Sequence, residues 1–290
     1  MNFSIIIVNF NSGDYLTYTL RSIKLNTFNK EKEFEVIVID NNSTDNSIEK
    51  AKKIFPEFKY VKNTKNLGYG GGCNYGAKIS KGKILVFSNA DVIIPQGTFE
   101  KIKGYFEREQ NLGILGSKLE YPDGTYQPSC RRYPRFKYLL FGRKSIGSFI
   151  LKNNPITREF LYLDLEKETK PREVEAVLGA FVAIKRETFE DVGGFDEEFF
   201  LFAEDIDLCL RIRKRGYKVL YAPDIKIIHF HGGSRKYLGL KSEHYLRKSI
   251  FKFFKKHNSI NIISKLILNL GLVAYTSFSS AFSIFYINRN

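Results

Sequence analysis

Cysteine is scarce in this chain. Three occur in 290 residues, Cys73, Cys130 and Cys209, and no two have the spacing of a bridge or a zinc knuckle. That argues against a disulfide framework or a cysteine metal site, and a reducing compartment is the simple expectation. The common phosphate-binding signatures are missing too. No Gly-Lys-Ser/Thr occurs, so there is no P-loop. A G-x-G-x-x-G reading fails from Gly68, where the third place is Cys73, and from Gly70, where it is Tyr75. The start of the chain lacks a basic segment, and the apolar run in "FSIIIVNF" is too short for a signal peptide, so the globular part is expected inside the cell. No internal repeat and no recognisable nucleic-acid module is present.

Positive charge, by contrast, is abundant, at a net +15. It implies an anionic partner: nucleic acid, a phosphorylated substrate or an acidic membrane. Residues 241–290 hold eight Lys/Arg against the single acid Glu243. A second basic cluster is Arg131, Arg132, Arg135, Lys137, Arg143 and Lys144. These cations flank apolar runs, which disfavours a nucleic-acid partner; a merely solvated basic surface is the plain alternative. The 43% hydrophobic content supports a sizeable core in one large or two small domains.

Hydrophobic patterning supplies the frame. "SIIIV" (4–8) and "FEVIVID" (34–40) read as buried parallel strands, "KYVKN" (59–63) as a shorter one and "KILVFSNAD" (83–91) as a fourth. Helical spacing falls between them: Leu16, Leu20 and Ile23, then a helix capped by Asp45, then one entered from the glycine cluster. This alternation predicts an open, mostly parallel α/β sheet flanked by helices. Residues 120–172 read as a long surface excursion. Order returns over 174–234, where "AEDIDLCLRIRKRG" is a helix with acids in its first turn and Gly216 as its stop, followed by strands "KVLYA" and "IKIIHF".

Ligands of such sheets bind beyond the carboxyl ends of the strands. Asn9 and Asn11, Asp40, and Asn89 with Asp91 stand at three such ends. The cluster "NLGYGGGCNYG" (66–76) lies between the last two. A carboxylate at the second strand can accept the N3–H of uracil or thymine. Backbone N–H groups of the glycine loop can approach phosphate, and Asp91 can hold a cation across a diphosphate. Together they describe a site for a pyrimidine nucleoside diphosphate. Tight helix–strand packing explains the glycines equally well without a ligand.

The ordered set "VNFN", "VIDNNSTDNS", "NLGYGGGCNYG", "SNAD", "GAFVAIKRE", "GGFDEEFF", "AEDIDLCLR" and "HFHGGS" resembles the family 2 glycosyltransferases over residues 3–235. The resemblance implies a GT-A fold, a nucleoside diphosphate sugar donor, a divalent cation (Mg²⁺ or Mn²⁺) and inversion at the anomeric carbon. Carried over by position, it places Asn9, Asn11, Asp40, Asn66, Gly68, Asn74 and Asn89 on the donor, with Gly179 and Ala180 as the floor under its sugar. Asp91 and one or both of His229 and His231 would meet the metal. Asn89 departs from the family's D-x-D element, which leaves Asp91 as its main carboxylate. Asp205 would be the base, with Glu204 beside it as an acceptor contact and Asp207 as a structural partner of Arg211. Asp40 as a cap for its turn, the histidines as ordinary strand residues and the acids as helix caps remain the plainer options. "DGTYQPSCRRYPRF" (123–136) further resembles the rhamnosyltransferase-like branch, which implies dTDP-L-rhamnose ahead of a UDP-sugar.

The implied division is 1–120 for the nucleotide-sugar half, 121–240 for the acceptor half and 241–290 for a helical tail. In the tail, Phe251, Phe253 and Phe254 alternate with Lys248, Lys252, Lys255 and Lys256, a pattern suited to an anionic membrane surface. The 22 uncharged residues from Leu266 to Ile287 are long enough to span a membrane, but their polar content also suits a shallow or oligomer-packed helix, or a hairpin packed on the globule. The expectation is a cytoplasmic enzyme at the inner face of the cell membrane, acting on a glycan or polyprenyl-linked acceptor. A polyprenyl-phosphate glycosyltransferase is the runner-up, and a basic nucleic-acid- or membrane-binding protein the reading outside enzymes.

Overall fold

The computed structural model describes residues 2–27, 30, 32–141, 154–230 and 241–257. The first half alternates as expected: β1 (Phe3–Asn9), α1 (Tyr15–Thr27), β2 (Phe34–Asp40), α2 (Ser47–Ile54), β3 (Lys59–Lys62), α3 (Gly68–Lys78) and β4 (Ile84–Asn89). A short β5 (Val92–Ile93), α4 (Thr98–Arg108) and the long β6 (Leu112–Glu120) follow. Next come β7 (Tyr126–Gln127), β8 (Cys130–Arg131), α5 (Phe136–Phe141), α6 (Pro155–Phe160), β9 (Arg172–Glu173), β10 (Ala176–Val177) and β11 (Phe181–Lys185). The described part closes with α7 (Arg186–Asp191), α8 (Glu204–Lys214), β12 (Lys218–His229) and α9 (Lys241–His257).

The main sheet runs β3-β2-β1-β4-β11-β6-β12-β5. Its β3, β2, β1 and β4 pairings are parallel, and so is β6 with β12; β11 runs antiparallel between β4 and β6. Strand alternation sorts the core onto the two faces of the sheet. Ile5 and Ile7 pack with Leu16, Leu20 and Phe99 on one side, while Ile6 packs with Cys73, Ala77, Leu208 and Ile212 on the other. The glycines of α3 have a packing task here. A Cβ at Gly76 would sit 2.4 Å from Ile6 Cγ2, and one at Gly72 2.9 Å from Val8 Cγ1, so only a bare helix face can lie this close to β1.

Three expectations change. The two strands read at 218–222 and 225–230 are one strand, β12, with an irregular register between Ala222 and Lys226. The cap position of α2 is Asn46, although the Asp45 carboxylate still accepts the Ser47 N–H at 3.2 Å. The excursion is not wholly superficial: Gln127, Ser129 and Cys130 are buried, and β8 pairs with β10.

The basic helix α9 is the largest correction. Of the three phenylalanines expected on lipid, Phe253 and Phe254 are buried in the globule and Phe251 is half-buried, so most of that face packs on protein. Lys252 pairs with Glu198 at 2.5 Å, and Lys256 bridges Asp196 and Asp207 at 2.7 and 2.8 Å. Asp207 of α8 is fully buried, and it also accepts from His257 Nε2 at 2.6 Å and Arg211 Nε at 2.7 Å. The spanning or shallow helix expected at 266–287 lies outside the described residues. Among those described, no helix is long and apolar enough to cross a membrane.

Asp207 yields a pH prediction. Burial raises its pKa, but the His257 bond and the Arg211 and Lys256 cations more than offset that, lowering it from an ordinary 3.8 to about 2. A carboxyl whose folded value is depressed stabilises the fold fully above its unfolded pKa and loses that stabilisation as pH falls through the folded one. Melting temperature should therefore drop between pH ~4 and ~2. Asp207→Asn should melt lower at neutral pH, by the equivalent of about 2 kcal/mol or more, and show a shallower acid slope. Parallel slopes for the two proteins in calorimetry from pH 7 to 2 would reject the assignment.

Candidate active site

A cavity of about 270 Å³ opens at the carboxyl ends of β1 and β4. It is lined by Asn66, Gly68, Asn89, Asp91, Gly179, Ala180, Glu204, Asp205 and His229, all read from the sequence as candidates. Segments from 66–91, from 178–205 and from the end of β12 thus meet in one place.

Four candidates do not line it. Asn9 is fully buried, and its amide donates to Asp40 Oδ1 at 2.9 Å, Ser47 Oγ at 3.0 Å and Ser43 Oγ at 3.1 Å. Asp40 is 1% exposed and also accepts from Ser43 Oγ at 2.5 Å. Asn11 accepts the Thr44 N–H at 2.8 Å. These polar atoms tie the end of β1 to the turn after β2; Asn41, beside Asp40, is the residue that reaches the cavity. Asn74 accepts from the Phe195 N–H at 2.9 Å and donates to Phe195 O at 2.8 Å, clasping the "GGFDE" turn. His231 lies outside the described residues.

The acid pair is held under strain. Phe202 and Ala203, immediately before α8, both take positive φ, 69° and 63°. Non-glycine residues in this region cost about 1–3 kcal/mol each and persist only where surroundings impose them. The surroundings are α3 and α9. Tyr69 N donates to Phe200 O at 3.3 Å, and a Cβ at Gly68 (φ 76°) would fall 2.1 Å from that oxygen. From the other side, Ser249 Oγ donates to Leu201 O at 2.8 Å and the Tyr245 ring packs on Phe200 with centroids 4.7 Å apart. The helix read as a tail therefore braces the loop that carries the acids.

Asp205 and Glu204 occupy different environments. Both pKa values are raised by burial. Asp205 is compensated: Oδ2 accepts the Gly179 N–H at 3.0 Å, Oδ1 accepts the Ile206 N–H at 2.8 Å, and the Arg131 charge favours the anion. Glu204 is pushed well above the carboxylate range, by burial first and then by the Asp205 charge, and its Oε2 has no hydrogen-bond partner among the described residues. The two environments differ: N–H groups and a cation favour the anion of Asp205, whereas burial and the Asp205 charge favour the protonated form of Glu204.

In the same cavity, Asp91 Oδ1 and His229 Nε2 are 3.3 Å apart. Neighbouring ligands of an octahedral cation, each at about 2.1 Å, are about 3 Å apart, so this pair fits a hard divalent ion. No cluster of three His, Cys, Asp or Glu side chains exists among the described residues, so such an ion would need oxygens from elsewhere, as Mg²⁺ commonly does.

The sequence reading missed Tyr69, Leu178, Phe200, Phe202 and Gln127. Tyr69, whose hydroxyl donates to Gly179 O, stands inside the glycine cluster that drew attention for its glycines alone. Phe200 and Phe202 sit in the aromatic run just before the acids, a run given no role of its own from sequence. Gln127 carries no local signal. A second depression, of about 590 Å³, is lined by Arg132, Tyr162, Glu175 and Arg213, among others; Arg132 is paired with Glu175 and Arg213 with Glu173.

Comparison with known proteins shows the family and the fold. The model for "Glycosyl transferase family 2" matches residues 4–193, and that for "Glycosyl transferase family group 2" matches 156–279. An N-acetylglucosaminyl-diphospho-decaprenol L-rhamnosyltransferase of Mycobacterium tuberculosis is 28% identical over 236 residues, 78% of this chain and 75% of that protein. Rhamnosyltransferase WbbL of Escherichia coli is 24% identical over 263 residues, covering 87% and 92%. Among solved structures, mannosyltransferase PcManGT of Pyrobaculum calidifontis, in complex with GDP-Man and Mn²⁺, aligns at TM-score 0.57 and 18% identity over 97% of this chain and 73% of its own. GalNAc-T7 with UDP, GalNAc and Mn²⁺ aligns at TM-score 0.58 and 18% identity over 79% of this chain, which spans only 43% of that one.

Proposed function

The chain belongs to glycosyl transferase family 2, and from that premise we propose that it moves L-rhamnose from dTDP-L-rhamnose to a hydroxyl of a polyprenyl-diphosphate-linked saccharide, with inversion and with a divalent cation. The observation that carries the reading is that the Asp91–His229 pair and Asp205 line one cavity. Residues 1–120 supply Asn66, Gly68, Asn89 and Asp91 for the donor; residues 121–240 supply the sugar floor, the base and His229. The sugar and the acceptor class are supported by the activity of the mycobacterial relative, and the cation by the Mn²⁺ present in the two aligned structures.

Asp205, as the carboxylate, removes the acceptor proton while the acceptor oxygen bonds to the anomeric carbon and the bond to the nucleoside diphosphate breaks. Asp91 and His229 would hold the cation, which neutralises charge on the departing diphosphate. Gly179 and Ala180 leave room for the sugar, and Tyr69 braces that floor through Gly179 O. Glu204 keeps its proton and offers a donor to an acceptor hydroxyl.

A thermal-shift screen of nucleoside diphosphate sugars tests the proposal. The melting temperature should rise with dTDP-rhamnose in the presence of Mg²⁺ or Mn²⁺ and not without them. Equal stabilisation with and without cation rejects the metal; a preference for a UDP- or GDP-sugar rejects the donor.

A further inference from the structure

Gln127 lies in the segment read from sequence as a surface excursion, yet it is 5% exposed. It sits in β7, where it pairs with Leu119 of β6; β6 also carries β12, which ends at His229. The Gln127 amide touches that histidine twice. Its Oε1 is 2.6 Å from His229 Nδ1, and its Nε2 donates to the His229 backbone oxygen at 3.4 Å.

Those contacts decide which ring nitrogen carries hydrogen. A peptide carbonyl only accepts, so the amide nitrogen of Gln127 faces it. The amide oxygen then faces Nδ1, and because that oxygen also only accepts, Nδ1 must be the N–H. In the neutral ring the lone pair is therefore on Nε2, which faces Asn89 Nδ2 at 3.2 Å and Asp91 Oδ1 at 3.3 Å. A backbone carbonyl of β12 thus orients a side chain from a distant segment, and that side chain orients the ring.

We propose that Gln127 is a positioning residue that locks His229 in the Nδ1–H tautomer and turns its Nε2 lone pair toward a cation beside Asp91. The proposal rests on the donor-site reading above. Only a lone-pair nitrogen can ligate; the opposite tautomer would aim an N–H at the cation. Partners of a ligating imidazole typically change metal affinity by about 10–100-fold.

Imidazole nitrogen NMR reads the tautomer directly, with His229 assigned by the signal lost in His229→Asn. Wild type should show Nε2 as the unprotonated nitrogen. Gln127→Met, similar in length but without the acceptor, should move hydrogen onto Nε2 and weaken Mn²⁺-dependent dTDP binding by about 10–100-fold in calorimetry. Gln127→Glu, which keeps an acceptor beside Nδ1, should preserve both. Melting curves on the same samples identify a misfolded variant, and Gln127→Leu then takes its place. An unchanged tautomer or an unchanged affinity in the folded variant overturns the role of Gln127 alone. Wild-type dTDP binding indifferent to Mn²⁺ overturns the cation reading, whatever the tautomer shows.

Discussion

Replacing Asp205 with alanine should lower the transfer rate by about 10²–10⁴-fold, the usual contribution of a positioned base, while donor affinity stays nearly unchanged. The expectation follows from where the charge sits. Asp205 is the member of the acid pair whose anion is supported, by the Gly179 and Ile206 N–H groups and by the Arg131 charge. Burial and the Asp205 charge favour the protonated form of Glu204, so Glu204→Gln should remove little charge and cost far less. Because burial raises the Asp205 pKa, the rate of the wild type should climb with pH through a value above the ordinary 3.8 as the base ionises. Single-turnover rates and calorimetric titration with donor and cation measure the two quantities separately. A large loss of donor affinity in the alanine variant would move Asp205 to donor binding. An inactive Glu204→Gln beside an active Asp205→Asn would exchange the two roles.

The second large effect is expected at Asp91. Asp91→Asn keeps the shape of a side chain that is 4% exposed, so the fold should survive. Cation-dependent donor binding should nevertheless fall by more than about 100-fold, since removing a ligand must cost more than the ~10–100-fold that removing a ligand's outer partner costs. The amide retains one weakly accepting oxygen but no charge to balance the cation. Titration of dTDP into the variant with and without Mn²⁺ measures the loss. Retained cation-dependent affinity would leave His229 and the diphosphate as sufficient ligands and remove Asp91 from the site. The contrast between the two variants also separates chemistry from binding: one should bind without reacting, the other should fail to bind.

Much of the site was legible because strand ends are legible. Buried strands announce themselves as β-branched apolar runs, and the first polar residue after such a run stands at the sheet's carboxyl edge. That placed Asn89 and Asp91, and it placed the "AED" helix start after a glycine turn. The same rule overreached at Asn9 and Asp40. Both stand at strand ends, yet their polar atoms are saturated by Ser43, Ser47 and each other. A strand-end carboxylate with hydroxyl neighbours in the next turn reads the same in sequence whether it faces a ligand or the turn. Asn74 failed for a related reason: its helix position was right, but its partner, Phe195, is more than a hundred residues away.

The parts played by α9 and Gln127 had no local signature. Alternating Phe and Lys describes a helix with one apolar face, and lipid or protein can cover that face equally well. Its cover is protein because Asp196, Glu198 and Asp207 stand where Lys252, Lys256 and His257 reach them.

By itself, the sequence determined the alternating frame, the family motifs and the identity of the acids, since each depends on residues close together in the chain or in a set order. Only the folded chain shows which acid is supported by N–H groups, which asparagines face inward, and which nitrogen of His229 meets Gln127. Those properties are set by burial and by hydrogen bonds between distant segments, and a linear pattern carries neither.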